Sequence, residues 1–146
     1  EGAKYLAKAF GGRGVLLNSI PGVEPANVVV LGGGTAGTYA AEVSSGMGAK
    51  VTIIDKSLPR LQQLKDIFMG KNVCTLYSTP ANITRALQSA DLVIGTVLIP
   101  GAATPQLILK EHIGIMKKGA VIVDVAIDQG GCAQTSRVTY HDDPVY

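Results

Sequence analysis

Three glycines stand in the spacing GxGxxG at Gly32, Gly34 and Gly37, after an apolar run and before a stretch of small residues. Between a strand and a helix, the first glycine allows a tight turn, the second lets phosphate oxygens reach the backbone amides, and the third lets the helix pack closely on the strand. Unpaired N–H groups at the start of the helix then face negative charge. The spacing predicts a pyrophosphate site, and its alternative is a glycine-rich turn that only packs tightly.

Asp55 ends the next β-branched run and lies 18 positions after Gly37. In a βαβ unit, the second strand brings such an acid beside the first, where it accepts hydrogen bonds from the ribose hydroxyls of adenosine. Its negative charge repels a 2′-phosphate, so the pattern favours NAD over NADP, although neighbouring Lys56 and Arg60 weaken that preference. The alternative is a solvated acid at the end of a strand.

Two later segments have the composition to complete a dinucleotide site. Residues 95–102 form a loop too apolar for ordinary surface, and ligands bind at loops that follow the carboxyl ends of parallel strands; a buried connection without a ligand is the alternative. For Asp124, directly after a buried apolar run, we expect structural hydrogen bonds to backbone N–H groups. Asp128 stands next to Gly130 and Gly131 and could reach the nicotinamide end of the cleft, or simply begin a turn.

Apolar runs alternate with amphipathic segments along most of the chain. This alternation predicts an α/β fold, a Rossmann-type doubly wound parallel sheet. We predict a leading helix and hinge over residues 1–20 and a dinucleotide-binding domain over residues 21–146. The predicted strands are 28–31, 51–55, 73–77, 92–95 and 120–124, and the predicted helices are 1–10, 35–47, 58–68, 79–89 and 106–116.

The composition excludes several classes of protein. With 146 residues, 47% of them hydrophobic, and a net charge of +2, the chain is neither disordered nor basic enough for a nucleic-acid groove or an anionic membrane surface. Its apolar runs are too short to cross a bilayer, and no metal-ligand spacing occurs, so we expect a cytoplasmic protein with reduced cysteines and no metal. His112 is expected to be solvated, and Asp91 to lie at the amino edge of the sheet. Because the chain begins with Glu1, we expect a piece of a longer protein.

Six segments resemble, in the same order, segments of the NAD-binding domain of the L-alanine dehydrogenase family. The last is the most specific, because the run ending Asp128-Gln-Gly-Gly-Cys132 resembles these enzymes more than it resembles the related nicotinamide nucleotide transhydrogenases. Two departures are Ala103, where the family usually has a lysine, and the stretch 18–20, which lacks the expected glycines. The six segments are 11–17, 21–26, 30–37, 90–95, 97–102 and 121–132.

The resemblance implies reversible oxidative deamination of L-alanine to pyruvate and ammonia, with NAD as the hydride acceptor. It implies a domain taken from a two-domain enzyme whose substrate domain is absent here, so that the chain alone is expected to be inactive, and a homo-oligomer, typically a hexamer. It assigns Asp128 as the catalytic aspartate. Its cofactor contacts are Thr35 and Ala36 at the pyrophosphate, Asp55 and Arg60 near the adenosine ribose, Ser78 at the adenine, and Val97, Leu98 and Val125 at the nicotinamide half. The alternatives are the nucleotide domain of a transhydrogenase and a stand-alone NAD-binding or redox-sensing module.

Overall fold

The computed structural model describes all residues, Glu1–Tyr146, and centres on a parallel sheet of five strands in the order β3-β2-β1-β4-β5. The predicted doubly wound α/β fold is confirmed, and each predicted strand is present to within one residue at either end. The strands are β1 (Asn27–Leu31), β2 (Lys50–Asp55), β3 (Val73–Tyr77), β4 (Leu92–Gly95) and β5 (Val121–Asp124).

Helices cover both faces of the sheet, and none is long and apolar enough to span a membrane. Side-chain oxygens mark two helix starts: Ser57 accepts the N–H of Arg60, and Thr79 accepts the N–H of Asn82. The helices are α1 (Gly2–Tyr5), α2 (Thr35–Gly46), α3 (Leu58–Ile67), α4 (Pro80–Ser89) and α5 (Lys110–Ile115), with short 3-10 turns at Lys8–Phe10 and Ile127–Gln129.

The central strand β1 is buried on both sides because its side chains alternate between two apolar cores. Val28 and Val30 belong to the core shared with α2, α3 and the leading segment. Val29 and Leu31 belong to the core shared with α4 and the segment around Ile108. This double burial explains why the strand reads as a continuous apolar run rather than an alternating one.

Two predicted helices were too long. The leading helix divides at Ala7, whose backbone is extended, because Gly12 and Gly14 fold back to donate to the carbonyls of Ala7 and Leu6. The fifth helix begins at Lys110 rather than at residue 106. Its first predicted turn is instead extended, since the N–H of Ile108 donates to the carbonyl of Cys132 and pairs this segment with the end of the chain.

The leading segment packs on the amino edge of the sheet, away from the glycine turn. Leu6 is fully buried in the core. Arg13 Nε donates to Asp91 Oδ1 at 2.8 Å, and the other oxygen of Asp91 accepts the N–H of Asn27, also at 2.8 Å. Asp91 therefore lies at the amino edge, as expected, and ties residue 13 to the sheet; the role of residues 1–20 as a hinge stays a prediction.

Candidate functional site

The glycine turn lies where the strand order of the sheet reverses. After β1 the chain builds β2 and β3 on one side and then returns to place β4 on the other side of β1. The loops that follow β1 and β4 consequently leave the sheet in opposite directions, and a crevice opens between them. In open parallel sheets this switch point is the place where ligands bind.

Two of the three motif glycines are required by close contacts. Gly32 has φ +102°, and a Cβ there would lie 3.0 Å from the backbone nitrogen of Val97. A Cβ on Gly37 would lie 1.8 Å from the carbonyl oxygen of Gly32, a steric overlap that excludes any side chain there unless the backbone moves. A Cβ on Gly34, by contrast, would meet nothing within 4 Å, because this residue borders open space. The packing thus explains Gly32 and Gly37 but leaves Gly34 without a structural reason.

Four consecutive amides at this turn have no hydrogen-bond partner in the chain. The N–H groups of Gly34, Thr35, Ala36 and Gly37 donate to no backbone or side-chain acceptor, and α2 has no side-chain cap. Each belongs to the set that a helix start leaves unpaired. Gly34, Thr35 and Ala36 are exposed, so the amides at the head of α2 form a surface suited to an anion.

Asp55 points towards the same turn. Its Oδ2 accepts the N–H of Gly33 at 2.7 Å, and its Oδ1 accepts the N–H of Ser57 at 2.8 Å. The side chain is half-buried, so each oxygen retains capacity for a further donor. Ser78, predicted at the adenine side, follows β3 and donates its N–H to the carbonyl of Asp55 at 2.9 Å. The structure therefore brings these predicted residues to one edge.

Arg60 reaches the glycine turn through its guanidinium, and three of the five N–H groups of that guanidinium donate to protein acceptors. Nε donates to the carbonyl of Gly33 at 2.7 Å, one terminal nitrogen donates to Thr38 Oγ1 at 3.0 Å, and the other donates to Gln63 Oε1 at 3.0 Å. The resemblance implies that Arg60 lies near the adenosine ribose, which stays a prediction; the structure shows that its side chain contacts the glycine turn. Its hydrogen bonds are with the protein's own carbonyl and hydroxyl groups.

Two threonines that sequence reasoning missed also hold the turn. Thr38 Oγ1 donates to the carbonyl of Gly34 at 2.7 Å. Thr96 Oγ1, buried just beyond β4, lies 3.0 Å from the carbonyls of both Leu31 and Gly32. The available signals were a hydroxyl four positions after Gly34 and one directly after the β4 glycine. Neither signal is specific without coordinates.

The predicted nicotinamide-side residues lie at the carboxyl ends of β4 and β5. Val97 is half-buried, whereas Leu98 and Val125 are 59% and 53% exposed. Val125 donates its N–H to the carbonyl of Gly95, which fixes it beside the end of β4. The loop after β4 is thus not a buried connection; it presents apolar surface at the switch point.

Asp124 and Asp128 differ sharply in their surroundings. Asp124 accepts hydrogen bonds from the N–H groups of Ala126, Cys132 and Ala133 and from Ser136 Oγ, so its expected structural role is confirmed. Asp128 lies in the 3-10 turn after β5, is exposed, and makes no side-chain hydrogen bond with the rest of the chain. Its carboxylate is free to act on a ligand.

Two other polar groups of the domain, Cys132 and His112, are structural. Burial, followed by the charge of Asp124 and a hydrogen bond with it, raises the pKa of the Cys132 thiol to about 12, which leaves the thiol protonated and unreactive. His112 was expected to be solvated, and that expectation was wrong: it is buried at 7% exposure. Its Nδ1 accepts the N–H of Leu109 and its Nε2 pairs with Thr84 Oγ1, contacts that join α5 to α4.

A parallel sheet ordered 3-2-1-4-5, with a glycine turn and unpaired amides at its switch point, defines a Rossmann-type α/β domain. The family model described as "Alanine dehydrogenase/PNT, C-terminal domain" matches residues 1–146. The chain belongs to this family.

Individual relatives agree with that assignment. An alanine dehydrogenase of Methanococcus maripaludis is 56% identical over 146 residues, which are 99% of this chain and 39% of that protein. A solved L-alanine dehydrogenase superposes with a TM-score of 0.95 at 48% identity, covering 99% of this chain and 40% of the other. A transhydrogenase from Sinorhizobium meliloti is less similar, with a TM-score of 0.74 and 27% identity over 92% of this chain and 41% of the other. The chain thus spans about two fifths of the length of these proteins.

Proposed function

We propose that this chain is the NAD-binding domain of an alanine dehydrogenase, which interconverts L-alanine with pyruvate and ammonia. The observation that carries the proposal is the row of unpaired amides from Gly34 to Gly37 beside the Asp55 carboxylate. The higher identity to alanine dehydrogenases than to the transhydrogenase supports this enzyme over the transhydrogenase alternative. A stand-alone sensor has no comparable support.

The residues at the switch point fit a dinucleotide. The open space at Gly34, where even a methyl group would meet nothing, leaves room for phosphate oxygens against the amides of Gly34, Thr35 and Ala36. Asp55 is placed to accept hydrogen bonds from adenosine ribose hydroxyls, and its charge disfavours a 2′-phosphate. Ser78 borders the adenine side. Val97, Leu98 and Val125 offer apolar surface for the nicotinamide half.

Asp128 is the residue of this domain that we assign to the chemistry. Bound NAD supplies the acceptor for the hydride that leaves the substrate carbon. The exposed Asp128 carboxylate stabilises positive charge that develops at the amino-bearing carbon and transfers protons as that carbon gains water. Residues that bind the substrate carboxylate are not identified in this chain, so we expect it to bind NAD without turning over alanine.

The direct test is a titration of this chain with NADH, followed by the fluorescence of the nicotinamide. We expect saturable binding. Asp55→Ala should weaken it by at least about 10-fold, because each hydrogen bond from a ribose hydroxyl to a charged acceptor contributes about 1.5–3 kcal/mol. Thermal denaturation of both proteins serves as the control for folding. A folded chain without saturable binding at millimolar NADH would refute the proposal, and unchanged affinity in Asp55→Ala would remove Asp55 from the site.

The catalytic assignment needs the full-length protein that we propose. There, Asp128→Ala should lower the rate of alanine deamination by about 100-fold or more, a loss typical of a missing acid-base group. NADH affinity should stay within about twofold, since Asp128 lies outside the phosphate and ribose contacts. Deamination at the wild-type rate would retire Asp128 as a catalytic residue.

We further propose that the full-length enzyme is a cytoplasmic homo-oligomer, a hexamer as the resemblance implies. The outer face of α2 supports an additional protein contact, because Tyr39, Val43 and Met47 are 63%, 61% and 47% exposed one helical turn apart. Sedimentation of the full-length protein would test the assembly; a monomer at micromolar concentration would contradict it.

A further inference from the structure

The orientation of the free amides at the glycine turn is set by hydrogen bonds to the carbonyls of the same peptide groups. All peptide bonds in the chain are trans. In a trans peptide the C=O and N–H bonds point in opposite directions. A contact that holds the carbonyl of one residue therefore directs the N–H of the next residue the other way.

Three successive peptide groups of the turn are held in this manner. The carbonyl of Gly32 lies 3.0 Å from Thr96 Oγ1, and the N–H of the same peptide, on Gly33, donates to Asp55. This first peptide is satisfied at both ends. It anchors the turn to β4 and β2 and leaves nothing for a ligand.

The next two peptides are satisfied only on their carbonyl side. The carbonyl of Gly33 accepts Arg60 Nε at 2.7 Å, while the N–H of Gly34 is unpaired. The carbonyl of Gly34 accepts Thr38 Oγ1 at 2.7 Å and Thr38 N at 2.9 Å, while the N–H of Thr35 is unpaired. The hydroxyl of Thr38 also accepts a guanidinium N–H of Arg60 at 3.0 Å, so the two side chains act as one unit.

We infer that Arg60 and Thr38 are positioning residues that direct the N–H groups of Gly34 and Thr35 towards the pyrophosphate. The inference rests on the proposed function, and it adds a role for Arg60 to the expected contact near the ribose. Its Nε holds the backbone of the turn, and each terminal nitrogen keeps a second N–H beyond the one that donates to Gln63 or Thr38. Preset amides bind an anion without a cost for reorientation.

Thr38→Val is the sharpest test, since it replaces one hydroxyl by a methyl group of the same shape. We expect NADH and ADP-ribose to bind about tenfold more weakly, the equivalent of about 1.4 kcal/mol. Adenosine, which lacks the phosphates, should compete against NADH with unchanged affinity. Thr38→Ser keeps the hydroxyl and should restore binding to within about threefold of the wild type.

Arg60→Lys separates geometry from charge. A lysine keeps the positive charge but not the planar fork that spans Gly33 and Thr38. If Arg60 and Thr38 act as a clamp, meaning that together they hold the carbonyls of Gly33 and Gly34, then Arg60→Lys and Arg60→Met should lose NADH affinity to a similar extent. A purely electrostatic role of Arg60 predicts instead that Arg60→Lys retains most of the NADH affinity. Amide NMR of the free chain gives a second readout, in which the Gly34 and Thr35 signals should shift in Thr38→Val while those of β1 stay in place.

The outcomes separate this inference from the proposed function. A folded wild-type chain that does not bind NADH overturns both. Wild-type binding with unchanged NADH affinity in Thr38→Val overturns the clamp alone. Equal losses for adenosine and ADP-ribose, or full affinity in Arg60→Lys, also overturn it, because the effect would then not pass through the amides that face the phosphates.

Discussion

The β1–α2 turn and the loop after β5 each pack against an aspartate at the end of a strand, Asp55 of β2 and Asp124 of β5, yet the two regions use their backbone amides in opposite ways. At the turn, Asp55 accepts two N–H groups and the next four amides remain unpaired. In the later loop, Asp124 accepts three N–H groups and one hydroxyl. The first region keeps donors available, and the second satisfies its own.

This difference separates a binding region from a supporting one. The unpaired amides of Gly34, Thr35 and Ala36 persist at the turn because these residues are exposed and water can reach them, so little free energy is lost by leaving them without a protein acceptor. The loop after β5 encloses Cys132, which is fully buried, and buried donors there require an acceptor. The loop can then present the unpaired Asp128 from a rigid base.

The largest expected effect comes from removing the acceptor of the supporting region. Asp124→Ala leaves four donors without their shared acceptor, and we expect the free energy of unfolding to fall by about 3–5 kcal/mol. Urea denaturation measures it. Asp128→Ala, in the same loop but without internal bonds, should change stability by less than about 0.5 kcal/mol. If the two variants were equally stable, the contrast between the regions would fail.

Within the turn itself, alanine substitutions should separate packing from binding. Gly37→Ala places a Cβ against the carbonyl of Gly32 and should cost about 2–3 kcal/mol of stability. Gly34→Ala places its methyl group in open space and should leave stability unchanged to within about 0.5 kcal/mol. Gly34→Ala should still weaken NADH binding, because its methyl group would occupy the space proposed for the phosphates. Denaturation and NADH titration of both variants check this, and wild-type affinity in Gly34→Ala would place the phosphates elsewhere.

The smallest effect is a pH dependence in the loop after β5. Burial and the charge of Asp124 raise the pKa of Cys132 from 9.0 to about 12, so the protonated thiol stabilises the fold below pH 9 and that contribution is lost as the pH rises towards 12. Between pH 8 and pH 10 the free energy of unfolding of the wild type should fall by about 1.4 kcal/mol relative to that of Cys132→Ala, which lacks this thiol. Urea denaturation at both pH values tests it. If the difference in free energy of unfolding between the wild type and Cys132→Ala were the same at both pH values, the pKa of the Cys132 thiol would not be raised by folding.

Much of the fold was predictable because its signals are local. Strands buried on both faces appear as continuous β-branched runs, and β3 was predicted with its observed bounds. The leading helix and α5 were predicted too long, because helical spacing cannot reveal that Gly12, Gly14 and Ile108 bond to distant backbone groups. Tertiary hydrogen bonds decided where those helices end.

The candidate site was predictable only in part for the same reason. The glycine spacing and Asp55 follow from rules that span one βαβ unit. Thr38 and Thr96 contribute through hydrogen bonds from their hydroxyls to particular backbone carbonyls, and no sequence pattern indicates such hydrogen bonds. The burial of His112 was missed because its partner Thr84 belongs to another helix, 28 positions away.

By itself, the sequence determined the order of strands and helices, the sharp turn at Gly32 and the acid at the end of β2, because backbone sterics and hydrophobic periodicity act over a few residues. Only the tertiary structure decided which amides stay unpaired and which aspartate accepts the hydrogen bonds of the neighbouring loop. These outcomes depend on whether a donor and an acceptor from distant segments come within about 3 Å, and only the packed sheet sets that distance.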